Sequence, residues 1–493
     1  MYSPAPTAAQ KRAADAAKPR KSAIFAPLFR TPEPICRLKS QPNMTQPTAQ
    51  TPRTYSYRQI WQIAFPIMLS VLMEQVVVLT DTAFLGRVGE VELGASALGG
   101  ICYVTVFMLG LGFSVGVQIL TGRRNGEGRY AEVGDVFWHG LGFLLLLAAG
   151  CYGLFRGFSA TVLPMLISST EVCTAAAKYL DWRIYGFFFA FVNSLFRALY
   201  VGTTRTRVLT LNSLLMVAAN VVLDYGLVFG RLGLPAMGIG GAALASTLAA
   251  GVSTLFFVAY TRLRFDFRRF GLARKPAFRP ELLGQVLGIS VWSMVQNLVS
   301  LSTWFFFFLA IEHLGSRALA ASNMVRSVSA FTFMAVMALA STGSTLTSNL
   351  IGAGEANAVR PLLAKIVRMG YALLVPVCLL IALVPDWALG IFTNRPELLA
   401  AARPALYVLL ASYLFTVAAQ IYFQAVSGTG ATRVAFVLET SALALYVAYI
   451  ATAVYAFRAP LAVCWAGEFV YGAAIFLFSY LYIRRGAWRR RQL

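Results

Sequence analysis

The sequence predicts an all-α polytopic membrane protein, with twelve transmembrane helices in two pseudo-symmetric six-helix lobes. Composition is the first observation: 58% of the 493 residues are hydrophobic and only 13% are charged. The second is that apolar runs of about 20 residues, the length of a bilayer-spanning helix, recur from end to end. They are continuously apolar rather than alternating, so helices, not a barrel, must satisfy the backbone at bilayer depth. The third is that the chain matches itself at an offset of 226 residues.

Taken in order, residues 1–55 are rich in Ala, Pro, Lys and Arg, with Asp15 and Glu33 as the only acids. They read as a disordered cytoplasmic tail, or as an over-extended start with Met44 as the initiator; a basic, acid-poor organellar transit peptide is the alternative. Twelve apolar segments follow, near 59–85, 96–121, 133–155, 180–201, 208–230, 238–260, 283–311, 320–348, 362–385, 403–426, 433–456 and 460–483. This divides the chain into an N-lobe (56–260), a basic linker (261–282), a C-lobe (283–483) and a basic tail (484–493). The loops after even-numbered segments carry Arg123, Arg124, Arg129, Arg205, Arg207 and the run from Arg262 to Arg279, whereas the opposite loops are sparse in Lys and Arg. By the positive-inside rule, both termini are cytoplasmic.

The repeat needs no gap from the first segment to the fifth. Gly89, Leu93, Ala95 and Ser96 align with Gly315, Leu319, Ala321 and Ser322; Gly202 and Thr203 align with Gly428 and Thr429. Each half has an even number of spans, so both enter the membrane the same way and a cavity forms between them, the plan of a rocking transporter.

Several function classes are excluded. The net charge of +22 sits in short loops rather than along one soluble face with aromatic partners, which argues against nucleic acid. Six scattered cysteines (Cys36, Cys102, Cys151, Cys173, Cys378, Cys464) and two histidines form neither a disulfide framework nor a metal site. No P-loop or nucleophile elbow is present, so no enzyme and no ATP-driven pump is expected.

Chemistry enters through charges inside the apolar segments, where an ionisable side chain points to function. The first segment holds Glu74 and Asp81, two turns apart on one side of a helix; the fifth holds Asn220 and Asp224, one turn apart. The repeat acts as an internal control. Asp81 maps to Phe307, Glu74 to Ser300, Pro66 to Trp292, Asn220 to Tyr446 and Asp224 to Ile450, so the polar group exists in one half only. If Asp81 and Asp224 face one interior, both cannot stay ionised and empty: one takes up a proton, or a cation sits between them. Asn220 supplies an amide ligand. This is a H⁺ or Na⁺ site, and no other cofactor or metal is expected. Pro66 removes one helical hydrogen bond and permits a bend below Glu74. In the second half Gln296, Asn297, Gln420 and Gln424 are candidates to line a substrate cavity, along with Arg326, Glu439 and Glu468.

These residues carry a family resemblance. Pro66 followed by Asp81-Thr82-Ala83-Phe84-Leu85-Gly86-Arg87-Val88-Gly89 resembles the first helix of MATE (multidrug and toxic compound extrusion) transporters. Asn220-Val221-Val222-Leu223-Asp224, Gly240-Gly241-Ala242-Ala243-Leu244-Ala245-Ser246 and Ala318-Leu319-Ala320-Ala321-Ser322-Asn323 are similar to later stretches of that family. The resemblance implies a secondary antiporter, a monomer, exporting organic cations and amphipathic drugs in exchange for H⁺ or Na⁺ by alternating access. It places the cation site on Asp81, Asn220 and Asp224, the bending proline on Pro66, and a helix-six hydroxyl ligand on Ser246 or Thr247. The glutamate of the NorM branch would fall on Ser300, which favours a DinF-like exporter and raises Glu74, the mirror position, as a further coupling residue. The alternative is a flippase of lipid-linked saccharides, which needs a cationic cavity; Arg197 and Arg326 are its candidates at membrane depth.

Overall fold

A computed structural model describes residues 54–490, except 168 and 275. The tail expectation for 1–55 therefore lies almost wholly outside the described residues. The long helices are α1 (Tyr57–Val88), α2 (Glu90–Gly126), α3 (Glu132–Thr161), α4 (Thr170–Arg183), α5 (Gly186–Gly202), α6 (Arg207–Phe229), α7 (Ile239–Arg264), α8 (Pro280–Glu312), α9 (Ser316–Gly352), α10 (Val359–Leu383), α11 (Pro396–Gly428), α12 (Thr432–Ala451) and α13 (Gly467–Arg485). Among the described residues, eleven helices are long and apolar enough to cross a membrane, and twelve when the bent pair α4–α5 counts as one span. The chain is an all-α polytopic membrane protein.

Local chemistry sets the ends. Ser56 and Gln59 form a capping box at the start of α1. Gly230 closes α6 at φ 67°, and Gly315 opens α9 at φ 103°, conformations a side chain would strain. The fourth segment departs most from expectation. Its apolar part begins at 180, but a helix already starts at Thr170 on the cap Ser169. The stretch carries Glu171, Lys178, Asp181 and Arg183, so hydropathy alone hides it. It then breaks at Ile184–Tyr185, and α5 leaves at 50° to α4.

Packing follows the repeat. In the first half α1 packs on α6, α2 on α5 and α6 on α7; in the second half the equivalents α8 on α12, α9 on α11 and α12 on α13 pack likewise. The halves meet through α2 against α8 and α9, and through α1 against α9. The polar ties between them run from mid-depth, where Asn297 donates to the Met108 carbonyl at 3.1 Å, to the end bearing Arg123. There Gln118 donates to Thr345 at 2.8 Å, Asn125 to Asn349 at 2.6 Å and Ser348 to the Ile119 carbonyl at 2.7 Å. Glycine makes the crossing close: a Cβ on Gly126 would lie 2.1 Å from the Asn349 carbonyl oxygen, and one on Gly352 would lie 2.2 Å from that of Arg123.

One seam fixes the height of the first-half acids. The Thr206 hydroxyl donates to the Ile63 carbonyl at 3.0 Å, and Ser70 and Ser213 share a 2.7 Å hydrogen bond, each across a separation of 143 residues. Asp81 and Asp224 have the same separation. Helices α1 and α6 therefore run parallel and in constant register. α1 remains one helix through the buried Pro66. The Ile63 carbonyl, one turn before that proline, holds the Thr206 bond.

Candidate functional site

The register brings Asp81 of α1 level with Asn220 and Asp224 of α6, both fully buried (0% exposed). Ser246 arrives from α7. Its hydroxyl donates to Asp81 Oδ2 at 2.8 Å and accepts from the Asn220 amide at 3.5 Å. Asp224 faces the Asp81 carboxyl and the Asn220 side chain. Four oxygens converge here without a hydrogen-bond donor: Asp81 Oδ1, Asn220 Oδ1 and both carboxylate oxygens of Asp224. Buried polar atoms are normally satisfied, so four orphans at one point describe a place for a proton or a cation. Oxygen ligands of this kind suit an alkali-metal ion as well as a shared proton.

The choice between neighbouring hydroxyls follows from helix rotation. Ser246 meets Asp81, whereas Thr247, about 100° further round the helix, donates to the Trp182 carbonyl at 3.2 Å and so touches the α4–α5 break. If a cation occupies this site, Ser246→Ala is expected to weaken its binding about tenfold, since a hydrogen bond to a charged group contributes about 1.5 kcal/mol. The half-saturating ion concentration for transport is the measurement.

Glu74 does not join this group. It lies about 10 Å below Asp81 along α1 and pairs with Arg197 of α5 at 2.8 Å, its side chain 47% exposed. Glu74 therefore has its counter-charge elsewhere, on open space rather than in the buried site. Of the second-half candidates, Gln420 hydrogen-bonds Tyr471, which donates to Glu439 at 3.5 Å. Asn297 is an inter-half tie, Gln296 and Gln420 are buried, and Gln424 is half-buried. An apolar cavity of about 250 Å³ lies apart from all four, between Tyr371, Cys378, Tyr407 and Leu414.

Rings fill most of the twin of the acid site, and Glu468 of α13 accepts a hydrogen bond from one of them, Tyr446. Phe307, equivalent to Asp81, lies 6.3 Å from Tyr446, equivalent to Asn220, and 5.1 Å from Trp465. Below it, the Ser300 hydroxyl donates to the buried Glu439 at 2.8 Å. The second half therefore does hold an acid at the Ser300 position, delivered by α12.

Sequence reasoning missed three residues of the first-half site. Arg183, the last residue of α4, interacts electrostatically with Asp81 and Asp224. Its guanidinium sits 4.2 Å over the Tyr103 ring. Tyr179, one turn earlier, is buried against Gly99, where a Cβ would lie 2.7 Å from the ring. The available signal was the repeat itself, because the equivalent of Arg183 is Leu409.

The family model described as MatE matches residues 66–226 and again 293–455, once in each half of the repeat. A probable multidrug resistance protein NorM from Rhizobium meliloti (strain 1021) is 26% identical over 366 residues, covering 71% of this chain and 76% of the relative. One of the same description from Burkholderia mallei (strain ATCC 23344) is 27% identical over 376 residues, covering 74% and 77%. Both are described as NorM, so they lend nothing to the DinF-like branch favoured by Ser300. Among solved structures, a MOP superfamily transporter from Pyrococcus furiosus superposes with a TM-score of 0.80 at 18% identity, covering 88% of this chain and 97% of that one.

Proposed function

The chain belongs to the MatE family of membrane transporters and is not an enzyme, and from that premise we propose that it is a multidrug efflux protein of the inner membrane. It exports cationic and amphipathic small molecules in exchange for inward H⁺ or Na⁺, acts as a monomer, and keeps both termini in the cytoplasm. The observation that carries the exchange is the orphaned, buried oxygen set of Asp81, Asn220 and Asp224 in one half, whose equivalents in the other are Phe307, Tyr446 and Ile450.

In this reading the site and the substrate compete for one conformational equilibrium. Without a cation, two carboxylates oppose each other across the α1–α6 seam. A cation arriving from outside removes that repulsion, lets the seam tighten, and favours the state that discharges substrate. Linkage requires the substrate to weaken cation binding by the same factor. A tenfold inward ion gradient supplies about 1.4 kcal/mol per ion, which can drive substrate uphill by a comparable factor. The flippase alternative is weakened because Arg197 is paired with Glu74 and Arg183 lies beside the acids, leaving Arg326 over the Phe308 ring as its remaining candidate.

The test is efflux of a fluorescent organic cation from proteoliposomes under an imposed pH gradient or an imposed Na⁺ gradient. Export driven by one of the two is expected. Equal efflux with and without either gradient would rule the exchange out.

A further inference from the structure

The acid site contains a charge that the exchange scheme does not use. Arg183 ends α4 at the 50° break. The carbonyl of Trp182 just before it accepts from Thr247 at 3.2 Å, while the adjacent Ser246 donates to Asp81 at 2.8 Å. The end of α4 therefore lies beside the acids, and Arg183 feels both carboxylates. Among the described residues it makes no ion pair, so it does not occupy the carboxylate oxygens as a ligand would. A solid cradle holds it instead. The guanidinium rests on Tyr103, which stacks on Phe187 with centroids 4.8 Å apart and planes 4° apart. Gly186 leaves room for that stack, since a Cβ there would lie 3.2 Å from the Tyr103 hydroxyl. The negative end of the α4 dipole adds a further preference for a cation at this point. Its Nε is buried without a hydrogen-bond partner.

We propose that Arg183 is the resident counter-charge of the Asp81–Asp224 pair and limits its uptake to one monovalent cation per transport cycle. The inference rests on the exchange reading above and adds its stoichiometry. A guanidinium cannot lose its proton under these conditions. Two ionised carboxylates and one guanidinium leave a single net negative charge in a buried site, and one H⁺ or one Na⁺ cancels it. A second cation would leave a net positive charge at bilayer depth, which is as costly as the empty site. The guanidinium sits beside the oxygens rather than on them, so it sets the charge while leaving the ligands open. The repeat supports a role tied to the acids: where these become Phe307 and Ile450, Arg183 becomes Leu409, Tyr103 becomes Ser329 and Tyr179 becomes Ala405.

The experiment measures the balance point of exchange in proteoliposomes, with tetraphenylphosphonium as the probe, against imposed pH and Na⁺ gradients in separate arms. For one-for-one exchange, a tenfold ion gradient is balanced by an about tenfold probe gradient, and for two-for-one by about a hundredfold. The wild type is expected at one-for-one and insensitive to membrane potential. Arg183→Gln is expected at two-for-one and potential-driven; Arg183→Lys is expected to restore one-for-one. A wild type balancing at two-for-one overturns the proposal without any variant, and so does an active Arg183→Gln that stays at one-for-one. A wild type that follows neither gradient overturns the exchange reading itself, a distinct result.

Discussion

Asp81→Asn is expected to abolish ion-driven export while leaving the protein folded and inserted. Asparagine has the shape of aspartate, and its carbonyl still accepts the Ser246 hydroxyl that now sits 2.8 Å from Asp81 Oδ2. The change is therefore one of charge. With Asp81 neutral, Arg183 and Asp224 cancel and the site needs no cation, so the ion gradient has nothing to act on. Coupling between two sites is commonly 1–3 kcal/mol, and losing the upper part of that range lowers gradient-driven efflux about a hundredfold. The contrast to measure is efflux with and without the gradient: the two should differ in the wild type and coincide in the variant. Asp81→Asn export that still follows a gradient would place the coupling elsewhere, with Glu439 the first residue to examine.

Gly126→Ala and Gly352→Ala should be nearly as damaging, far from the acids. Each added methyl would meet a backbone oxygen, at 2.1 Å from Asn349 and 2.2 Å from Arg123. A backbone cannot swing aside as a side chain does, so α2 and α9 must separate. Overpacking of this kind costs about 1–3 kcal/mol, enough to move a balanced two-state equilibrium most of the way to its other side. The hydrogen bonds from Gln118 to Thr345 and from Asn125 to Asn349 would open with it. The prediction is a transporter held open at its arginine-rich end, with export falling in parallel. Alkylation of a cysteine placed at Ser348, now buried at the crossing, should become fast in either variant and stay slow in the glycine parent.

Much of the architecture could be read from the chain because lipid leaves the backbone so few options. Apolar length located the spans, and the 226-residue offset located equivalent helices, down to Phe307 and Tyr446 lying together where Asp81 and Asn220 are joined through Ser246. What escaped was relative rotation and breakage. Ser246 and Thr247 are adjacent in sequence, and only the angle of α7 separates the one touching Asp81 from the one touching Trp182. The partner of Glu74 depended on how α5 leaves the break at Ile184, which no periodicity encodes. Arg183 was hidden for the same reason. An arginine at the edge of an apolar run reads as an interfacial anchor, and only the kinked geometry carries it inward to the acids.

The parallel seam of α1 and α6 has a consequence for how this sequence can change. Hydropathy would accept an extra leucine almost anywhere in the first helix. The seam would not: one residue inserted between Ser70 and Asp81 turns the carboxylate by about 100° away from α6, while Ser70 and Ser213 stay joined below it. Compensation would need a matching insertion in the other helix, between Ser213 and Asn220. The two helices are thus bound to a common length, and substitutions are open to this part of the protein where insertions and deletions are not.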